Sequence, residues 1–470
     1  MMKMKRPNMK KAFAILTFIS LALAASLTYG LMSGRPASAK SAYNPSNISA
    51  APAAISSAAT AAAQVMMPRT AIYALDTDNT LFVLWPGTTS FVRLVRVPDA
   101  QVVGNLIGVD FRVSDGNNNR LYAETDRGRL YTISLTPGTL GQATLVSTLT
   151  PQFPSGYQSL FDFNPVIDAI RLIGSDTTNY AVVKDANGIL NTTAVQTSLT
   201  YNPNDVNKGV SPKVSAGAYN NNFIGATATI FYAIDPNLDS LVTIDPATAG
   251  GSSATGGGVL RTIGKLVTPA GAPVNTSPTT DIDIYTLRNG ANLLVGVTGR
   301  RFFTIDLNQA TPATALGTQK NIVVQGIPTN ADLGGRFVDI AAAGTRYQSE
   351  NGVQGGGNKV DTTIAGFVGT GFVNYADNVA GGITDYLVNQ SGTVTLSVRY
   401  SNGSAANRPC DVLVNGVTVG TIAFPPTGSF ATYGTATLSV NLGATNGFKT
   451  LRIISTTAAG GPNTDYIDVE

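Results

Sequence analysis

The side chains that could do chemistry in this sequence are mainly aspartates. The chain has 470 residues, with one cysteine and no histidine. Without histidine, neither a Ser-His-Asp nor a Cys-His arrangement can form, and zinc or iron sites built on imidazole are excluded. The sequence contains three glutamates, Glu124, Glu350 and Glu470. The oxygen ligands that remain make calcium the metal that this composition favours.

Paired carboxylates are the remaining route to catalysis, because glycoside hydrolysis uses two of them. Asp110, Asp162 and Asp283 stand at equivalent places in phrases that recur along the chain. A residue needed in every repeat is more typical of structure than of a single chemical step, so we expect these aspartates to tie turns together. Catalysis by Asp110, Asp162 or Asp168 is the alternative.

Residues 69–343 carry the repeated phrases, and each phrase predicts two strands joined by a polar turn, a hairpin. The paired strands are Ile72–Asp76 with Leu81–Leu84, Leu121–Glu124 with Leu130–Ile133, Phe231–Asp235 with Leu241–Asp245, and Asp283–Tyr285 with Phe302–Asp306. A second phrase precedes some hairpins or stands between them, at Gly108–Arg112, Leu160–Pro165 and Thr280–Asp283. Repeats of roughly 50 residues made of strands predict a β-propeller of about five or six blades. A large irregular sandwich is the alternative.

Residues 345–470 predict a second all-β domain. Apolar residues alternate with polar ones in short runs at 394–400, 410–414, 436–442 and 451–453, and turn residues such as Asn415-Gly416 separate the runs. This spacing favours a two-sheet β-sandwich. The single cysteine, Cys410, lies in one of the apolar rows, so we expect it to be a small buried hydrophobe.

The phrases of this second domain resemble carbohydrate-binding module families 6 and 35 in order and spacing. The matching phrases are Tyr347–Glu350, Gly369–Tyr375, Ser397–Gly403, Val414–Gly416, Phe424–Pro425 and Asn463–Ile467. The resemblance implies a jelly roll with a structural calcium ion and a sugar site in the loops at one end.

The calcium site implied by the resemblance consists of Gln348, Glu350 and Asp468. Gln348 and Glu350 are two apart on a presumed first strand, so their side chains leave one face, and Asp468 on the presumed last strand could lie beside them. A surface-exposed polar edge is the alternative.

The implied sugar site consists of Tyr375, Phe430 and Asn463, because aromatic rings cover the apolar face of a sugar while an amide binds its hydroxyls. The family usually has a pair of tryptophans where this chain has Phe430 and Tyr433. Core packing is the alternative for Tyr375 and Phe430.

Residues 69–343 resemble a family of exported bacterial proteins, the domain of unknown function 4394. The matching stretches are 108–112, 129–133, 162–171 and 224–235. The resemblance implies no activity, since the family offers no catalytic residues to carry across.

The N-terminus predicts export. A basic stretch, an apolar run from Ala12 to about Leu31 and the small residues Ala37-Ser38-Ala39 make residues 1–39 typical of a signal peptide, with an uncleaved anchor as the alternative. The Ala/Ser-rich residues 40–68 predict a flexible linker. The leader holds six basic and no acidic residues, so its removal changes the formal net charge from +3 to −3. The mature chain therefore shows no basic pattern for nucleic acid.

The sequence as a whole predicts a secreted or cell-surface protein that binds a polysaccharide or cell-surface glycan without catalysis. Its second domain would be stabilised by Ca²⁺, and no membrane span is expected beyond the leader. One alternative is a secreted glycan-active hydrolase with the propeller as catalytic domain. Another is a structural or adhesive protein of the cell surface or matrix.

Overall fold

The computed structural model describes residues 67–244, 257–299, 301–310, 317–326 and 337–470. The predicted signal peptide, and the linker up to residue 66, lie outside these residues. The regular secondary structure of the described chain is strand, apart from short 3₁₀ segments, so the all-β prediction is confirmed. Among the described residues, no helix has the length and apolar character needed to cross a membrane.

Twenty-one strands build the first part of the chain. In order they are β1 Ile72–Asp76, β2 Thr80–Leu84, β3 Val92–Arg96, β4 Leu106–Asp110, β5 Arg120–Thr125, β6 Arg129–Ser134, β7 Ala143–Thr148, β8 Ser159–Asn164, β9 Ala169–Gly174, β10 Asn179–Lys184, β11 Leu190–Val195, β12 Thr200–Tyr201, β13 Ala216–Tyr219, β14 Phe231–Asp235, β15 Ser240–Ile244, β16 Val259–Val267, β17 Asp281–Thr286, β18 Asn292–Thr298, β19 Arg301–Asp306, β20 Lys320–Gln325 and β21 Phe337–Ala342. Single 3₁₀ turns occur at Asp99–Gln101, Val113–Asp115 and Leu307–Gln309.

These strands form five antiparallel, four-stranded units. Four of them follow the chain, as β4 to β7, β8 to β11, β13 to β16 and β17 to β20. The remaining unit has the order β21-β1-β2-β3, so a strand from the end of this region pairs with one from its beginning. The outer strands β16 and β20 pair in parallel and join two units into one larger sheet, which β12 extends.

The innermost strands of the five units contact one another in a closed ring, in the order β21, β4, β8, β13, β17 and back to β21. The apolar core is divided accordingly, since each of five buried clusters fills the space between two successive units. We call this assembly the ring.

The predicted hairpins are confirmed for β1 with β2, β5 with β6, and β14 with β15. A strand-ending aspartate holds the turn: both Asp78 N and Thr80 N donate to Oδ1 of Asp76, at 2.9 and 3.0 Å. The prediction is wrong for Asp283–Tyr285 with Phe302–Asp306, because β18 lies between them and pairs with both neighbours. Residues 292–298 form a mostly buried apolar strand, where the sequence had predicted a polar turn.

Residues 346–469 form a sandwich of two antiparallel sheets. Their strands are β22 Arg346–Gln348, β23 Val353–Gly355, β24 Lys359–Asp361, β25 Phe372–Asn374, β26 Ile383–Val388, β27 Thr393–Ser401, β28 Cys410–Val414, β29 Val417–Ile422, β30 Gly434–Asn441, β31 Lys449–Ser455 and β32 Asn463–Val469, with a 3₁₀ turn at Ser349–Asn351. One sheet has the order β24-β25-β32-β27-β30, with β22 on β32, and the other β23-β26-β31-β28-β29.

A single apolar core fills the space between the two sheets of the sandwich. The alternating runs predicted as strands form β27, β28, β30 and β31, so these predictions are confirmed. Cys410 is fully buried in this core, as expected, and it is a free thiol. Burial raises the pKa of that thiol, so Cys410 is a packing residue.

The sandwich contacts the ring through side chains on both. Asn118 Nδ2 donates to the carbonyl oxygens of Gly344 and Arg346, at 2.7 and 2.9 Å, and so fixes the connection between the two parts. The indole of Trp85, which belongs to the ring, contacts the phenyl group of Phe448 in the sandwich edge to face, with centroids 5.6 Å apart.

Candidate functional sites

Gln348 and Glu350 are brought together beside Gly369. Gln348 ends β22, and Glu350 lies in the following 3₁₀ turn and not on the strand as predicted. A Cβ placed on Gly369 would lie 2.7 Å from Glu350 Oε1 and 3.2 Å from Gln348 Oε1, so the two oxygens border the same small space. Gly369 has φ +97°, a conformation that glycine adopts without strain.

This group of oxygens has unused hydrogen-bonding capacity. Thr370 N donates to Glu350 Oε1 at 2.9 Å, but Glu350 Oε2 and both polar atoms of Gln348 are buried without a hydrogen-bond partner. Burial raises the pKa of Glu350. Buried oxygens without donors are costly unless something else satisfies them, and a hard cation would do so.

Asp468 is placed differently from its two predicted partners. It forms a two-point ion pair with Arg346, whose Nε lies 2.8 Å from Oδ1. Burial and Glu350 raise the pKa of a different aspartate, Asp465, which is three positions earlier on β32 and therefore on the opposite face of the strand.

Asp465 was not predicted as a site residue. Its side chain is fully buried, accepts from Val368 N and pairs with Arg399. Burial raises its pKa to about 6, although Val368 N and Arg399 oppose the shift. The phrase Asn463–Ile467 contained it, but spacing alone could not decide which aspartate of β32 faces Glu350.

Tyr375 lies in the core of the sandwich. It is 1% exposed, and its hydroxyl donates to the Ile453 carbonyl at 3.2 Å. Gly461 packs against its ring so closely that a Cβ there would come 2.4 Å from Cδ1. The ring therefore has no free face for a sugar, which corrects the predicted role and agrees with core packing, the alternative.

Phe430 remains partly exposed at the same end of the sandwich. The Arg408 guanidinium lies over its ring, 5.5 Å from the centroid. Arg408 Nη1 also donates to the Gly461 carbonyl at 2.9 Å and to Asp377 Oδ1 at 3.1 Å. Phe430 thus lies near the loop that leads to Asn463. The sequence analysis did not predict Arg408 and Asp377, which lie at this place.

Asn463 begins β32 and is 4% exposed, so little of it reaches the surface. Tyr433 stands where the second tryptophan was expected, and the Arg399 guanidinium lies 4.1 Å from its ring centroid. Because Arg399 also pairs with Asp465, this ring is linked to the carboxylates beside Gly369.

The recurrent aspartates of the ring are buried, at 2% exposure for Asp110, 4% for Asp162 and 1% for Asp283. Each accepts a backbone N–H from the innermost strand of the next unit: Asp110 from Phe163 at 2.8 Å, Asp162 from Tyr219 at 3.0 Å, and Asp283 from Ala342 at 2.5 Å. These bonds join the innermost strands of successive units, whereas the prediction was that the aspartates tie turns.

Asp168, the other residue considered for catalysis, has a different setting. Burial opposes its ionisation, but hydrogen bonds from Arg112, Lys184 and Ser114 lower its pKa. Arg112 grips it with Nε on Oδ1 at 2.8 Å and Nη2 on Oδ2 at 2.6 Å. A carboxylate held ionised in this way is a poor general acid.

Comparison with known proteins assigns the ring to a family. Residues 80–327, more than half of the chain, match the sequence profile of the Domain of unknown function (DUF4394), and the chain belongs to this family.

The curated relatives are carbohydrate-active enzymes. The chain is 32% identical over 252 residues to an exo-beta-D-glucosaminidase of Amycolatopsis orientalis, which covers 52% of this chain and 22% of that protein. It is 38% identical over 124 residues to endo-1,4-beta-xylanase B of Cellvibrio japonicus, which covers 25% of this chain and 20% of that protein. The chain thus spans about a fifth of the length of these relatives.

Among solved structures, the chain is similar to a family 35 carbohydrate binding module from Clostridium thermocellum. The identity is 36%, and the match covers 26% of this chain and 95% of that module, with a TM-score of 0.25.

Proposed function

We propose that this is an exported, non-catalytic glycan-binding protein, in which a five-bladed propeller supports a calcium-stabilised jelly roll that holds the glycan. The ring would be the propeller, and the sandwich would be the carbohydrate-binding module.

The observation that carries this proposal is the similarity to curated enzymes of different activity. A glucosaminidase and a xylanase each share about a fifth of their length with this chain. Similarity to enzymes with two different reactions suits recognition of a glycan better than either reaction. The segment shared with the xylanase has 124 residues, about the length of the sandwich.

The end of the sandwich at Phe430 is the best-supported place for the glycan. A partly exposed aromatic ring suits the apolar face of a sugar, while Arg408 and Asp377 offer a donor and an acceptor for hydroxyl groups. Asn463 enters the same end of the sandwich, although it has little exposure in this conformation.

Calcium would lie beside Gly369, where the oxygens of Gln348 and Glu350 meet. Both aspartates of β32 already have a cationic partner, Arg399 for Asp465 and Arg346 for Asp468, and Asp465 is the one whose pKa is raised by burial and by Glu350. The ion would supply the positive charge that the oxygens beside Gly369 lack, and so fix β22 to β32.

The burial of the ring's aspartates favours a non-catalytic role. Most glycoside hydrolases cleave the glycosidic bond between two carboxyl groups that both reach it. Asp110, Asp162 and Asp283, the aspartates that recur, are at most 4% exposed, so no sugar can enter between them.

A glycan array with the full-length chain, with and without Ca²⁺, tests the proposal. We expect binding to at least one glycan, and about tenfold weaker binding for Phe430→Ala, since loss of one aromatic contact costs about 1.4 kcal/mol. Val417→Ala is the matched control, because Val417 is 67% exposed on the hairpin of β28 and β29.

Two results would contradict the proposal. One is an array without any bound glycan when Ca²⁺ is present. The other is release of reducing sugar by the full-length chain, which would favour the hydrolase.

A further inference from the structure

The centre of the ring holds a compact group of carboxylates. Asp110, Asp162 and Asp283 come from β4, β8 and β17, and each has an oxygen within 4.8 Å of an oxygen of the other two. All three side chains are buried. We call these three residues the axial triad.

The hydrogen bonds of the axial triad suit ionised carboxylates. Asp110 accepts Phe111 N on one oxygen and Phe163 N on the other. Asp283 likewise accepts from the backbone on both oxygens. An ionised carboxylate accepts only, and backbone N–H donors stabilise it, whereas a protonated carboxyl must place a hydrogen on one of these oxygens.

Among the described residues, the principal charges that act on Asp110 and Asp162 are those of other carboxylates. They are Asp283 and Asp281 for Asp110, and Asp110, Asp283 and Asp281 for Asp162. Together with burial, this repulsion raises the pKa of both residues. Carboxylates so placed must either take up protons or share a cation.

A second observation points to the cation. Asp281 stands two positions before Asp283 on β17, so its side chain leaves the same face of the strand. It is 1% exposed, and its Oδ1 has no hydrogen-bond partner. Its neighbour Asp339 could satisfy that oxygen only by carrying a proton, because its own oxygens already accept from Val109 N and Ile340 N.

We propose that the centre of the ring binds one hard divalent cation, calcium in the first place, through Asp110, Asp162 and Asp283. Carboxylate oxygens are the ligands that calcium prefers, and a buried anionic group becomes favourable when a cation neutralises it. The ion would join β4, β8 and β17, three of the five strands that line the centre. This site is separate from the one proposed beside Gly369 and does not depend on glycan binding.

The test uses the full-length Glu350→Gln variant, which removes the negative charge of Glu350 and so weakens calcium binding at the sandwich site. The calcium response that Asp162→Asn then abolishes comes from the ring. After equilibration with CaCl₂ and gel filtration, we expect metal analysis to find about one calcium ion per chain. Chelation should lower the melting temperature of this variant, and added calcium should restore it. Adding Asp162→Asn, which keeps the oxygen that accepts Tyr219 N, should abolish both the bound ion and the response.

Asp185→Asn in the same background is the matched control, because Asp185 sits in the turn between β10 and β11 and should leave both readouts unchanged. The proposal is overturned if the Glu350→Gln variant retains no calcium and its melting temperature ignores calcium and chelator. That result is expected if the axial triad is protonated and binds no metal. Asp162→Asn should then raise the melting temperature of the Glu350→Gln variant. If the variant with Asp162→Asn does not fold, the calcium content and the calcium response of the Glu350→Gln variant test the proposal by themselves. Glycan binding by the wild-type chain is measured in a separate experiment, so that the proposed function and the cation site of the ring are tested independently.

Discussion

Single aspartates have two structural uses in this chain. Asp76 ends a strand and accepts two N–H groups of its own turn. Asp110 and Asp162 also belong to repeated phrases, but they accept N–H groups from the neighbouring unit. The recurrence was visible in the sequence. The partner was not, because a bond between units depends on how the units pack and not on the local phrase.

Glu124 gives a residue-scale prediction about pH. It is 1% exposed, neither oxygen has a partner, and burial raises its pKa well above the usual range. The folded chain therefore keeps a proton that the unfolded chain loses above about pH 4.3. The stability that this proton gives is complete below that pH and is lost as the pH rises toward the folded pKa.

We therefore expect Glu124→Gln to gain stability relative to the wild type as the pH rises, by up to about 1.4 kcal/mol per pH unit. Urea unfolding of both proteins at several pH values between about 5 and 8 measures this difference in the free energy of unfolding. Asp185→Asn is the control: backbone hydrogen bonds lower the pKa of Asp185, so its carboxyl group is ionised in the folded and the unfolded chain throughout this pH range, and its difference from the wild type should not change with pH. A difference that does not change with pH would contradict the prediction for Glu124.

The candidate site shows where residue patterns stop being informative. The local phrases indicated that Gln348 and Glu350 lie close together, although Glu350 is in the 3₁₀ turn and not on the predicted strand. They could not show that Gly461 covers Tyr375, or that burial and Glu350 raise the pKa of Asp465. Both facts depend on contacts between distant strands.

At the scale of elements, the closure of the ring could not be predicted from the sequence. The pairing of β21 with β1 joins Ala342 to Ile72, and no local pattern links them. The individual strands were predictable from their apolar runs, whereas the misassigned hairpin at Asp283 arose where a buried strand, β18, carries no polar alternation.

The closure can be tested with a proline. Ile340 N and Ala342 N both donate to aspartates at the centre, so the N–H of Ala341, between them, faces β1. Ala341→Pro removes that donor and should cost about 3 kcal/mol or more. Val92→Pro is the control, because Val92 begins the outer strand β3, is 48% exposed and should tolerate proline.

Thermal unfolding followed by circular dichroism measures both variants. A melting temperature for Ala341→Pro that stays close to that of Val92→Pro would mean that the pairing of β21 with β1 contributes little to the fold.

At the scale of the whole molecule, the contacts between ring and sandwich indicate one cooperative structure. Asn118 binds both carbonyls of the connection, and Asn119 Nδ2 donates to the Leu387 carbonyl of the sandwich at 3.2 Å. Asn351 of the sandwich donates in return to the Asp115 carbonyl at 2.6 Å. A sandwich held in this way presents the end that carries Phe430 in a fixed direction relative to the ring.

Trp85 makes this coupling measurable, because it is the single tryptophan of the chain and contacts Phe448 across the junction. With calcium present, we expect its fluorescence and the far-ultraviolet circular dichroism to report one coincident unfolding transition. Phe448→Ala removes an aromatic pair worth about 0.5–1.5 kcal/mol beyond its buried area, so it should lower the fluorescence midpoint and separate the two transitions. Leu145→Ala is the control, since Leu145 is 51% exposed on the outer strand β7 and away from Phe448. If the wild-type fluorescence already changed at a lower denaturant concentration than the circular dichroism, the junction would open independently, and ring and sandwich would be separate folding units.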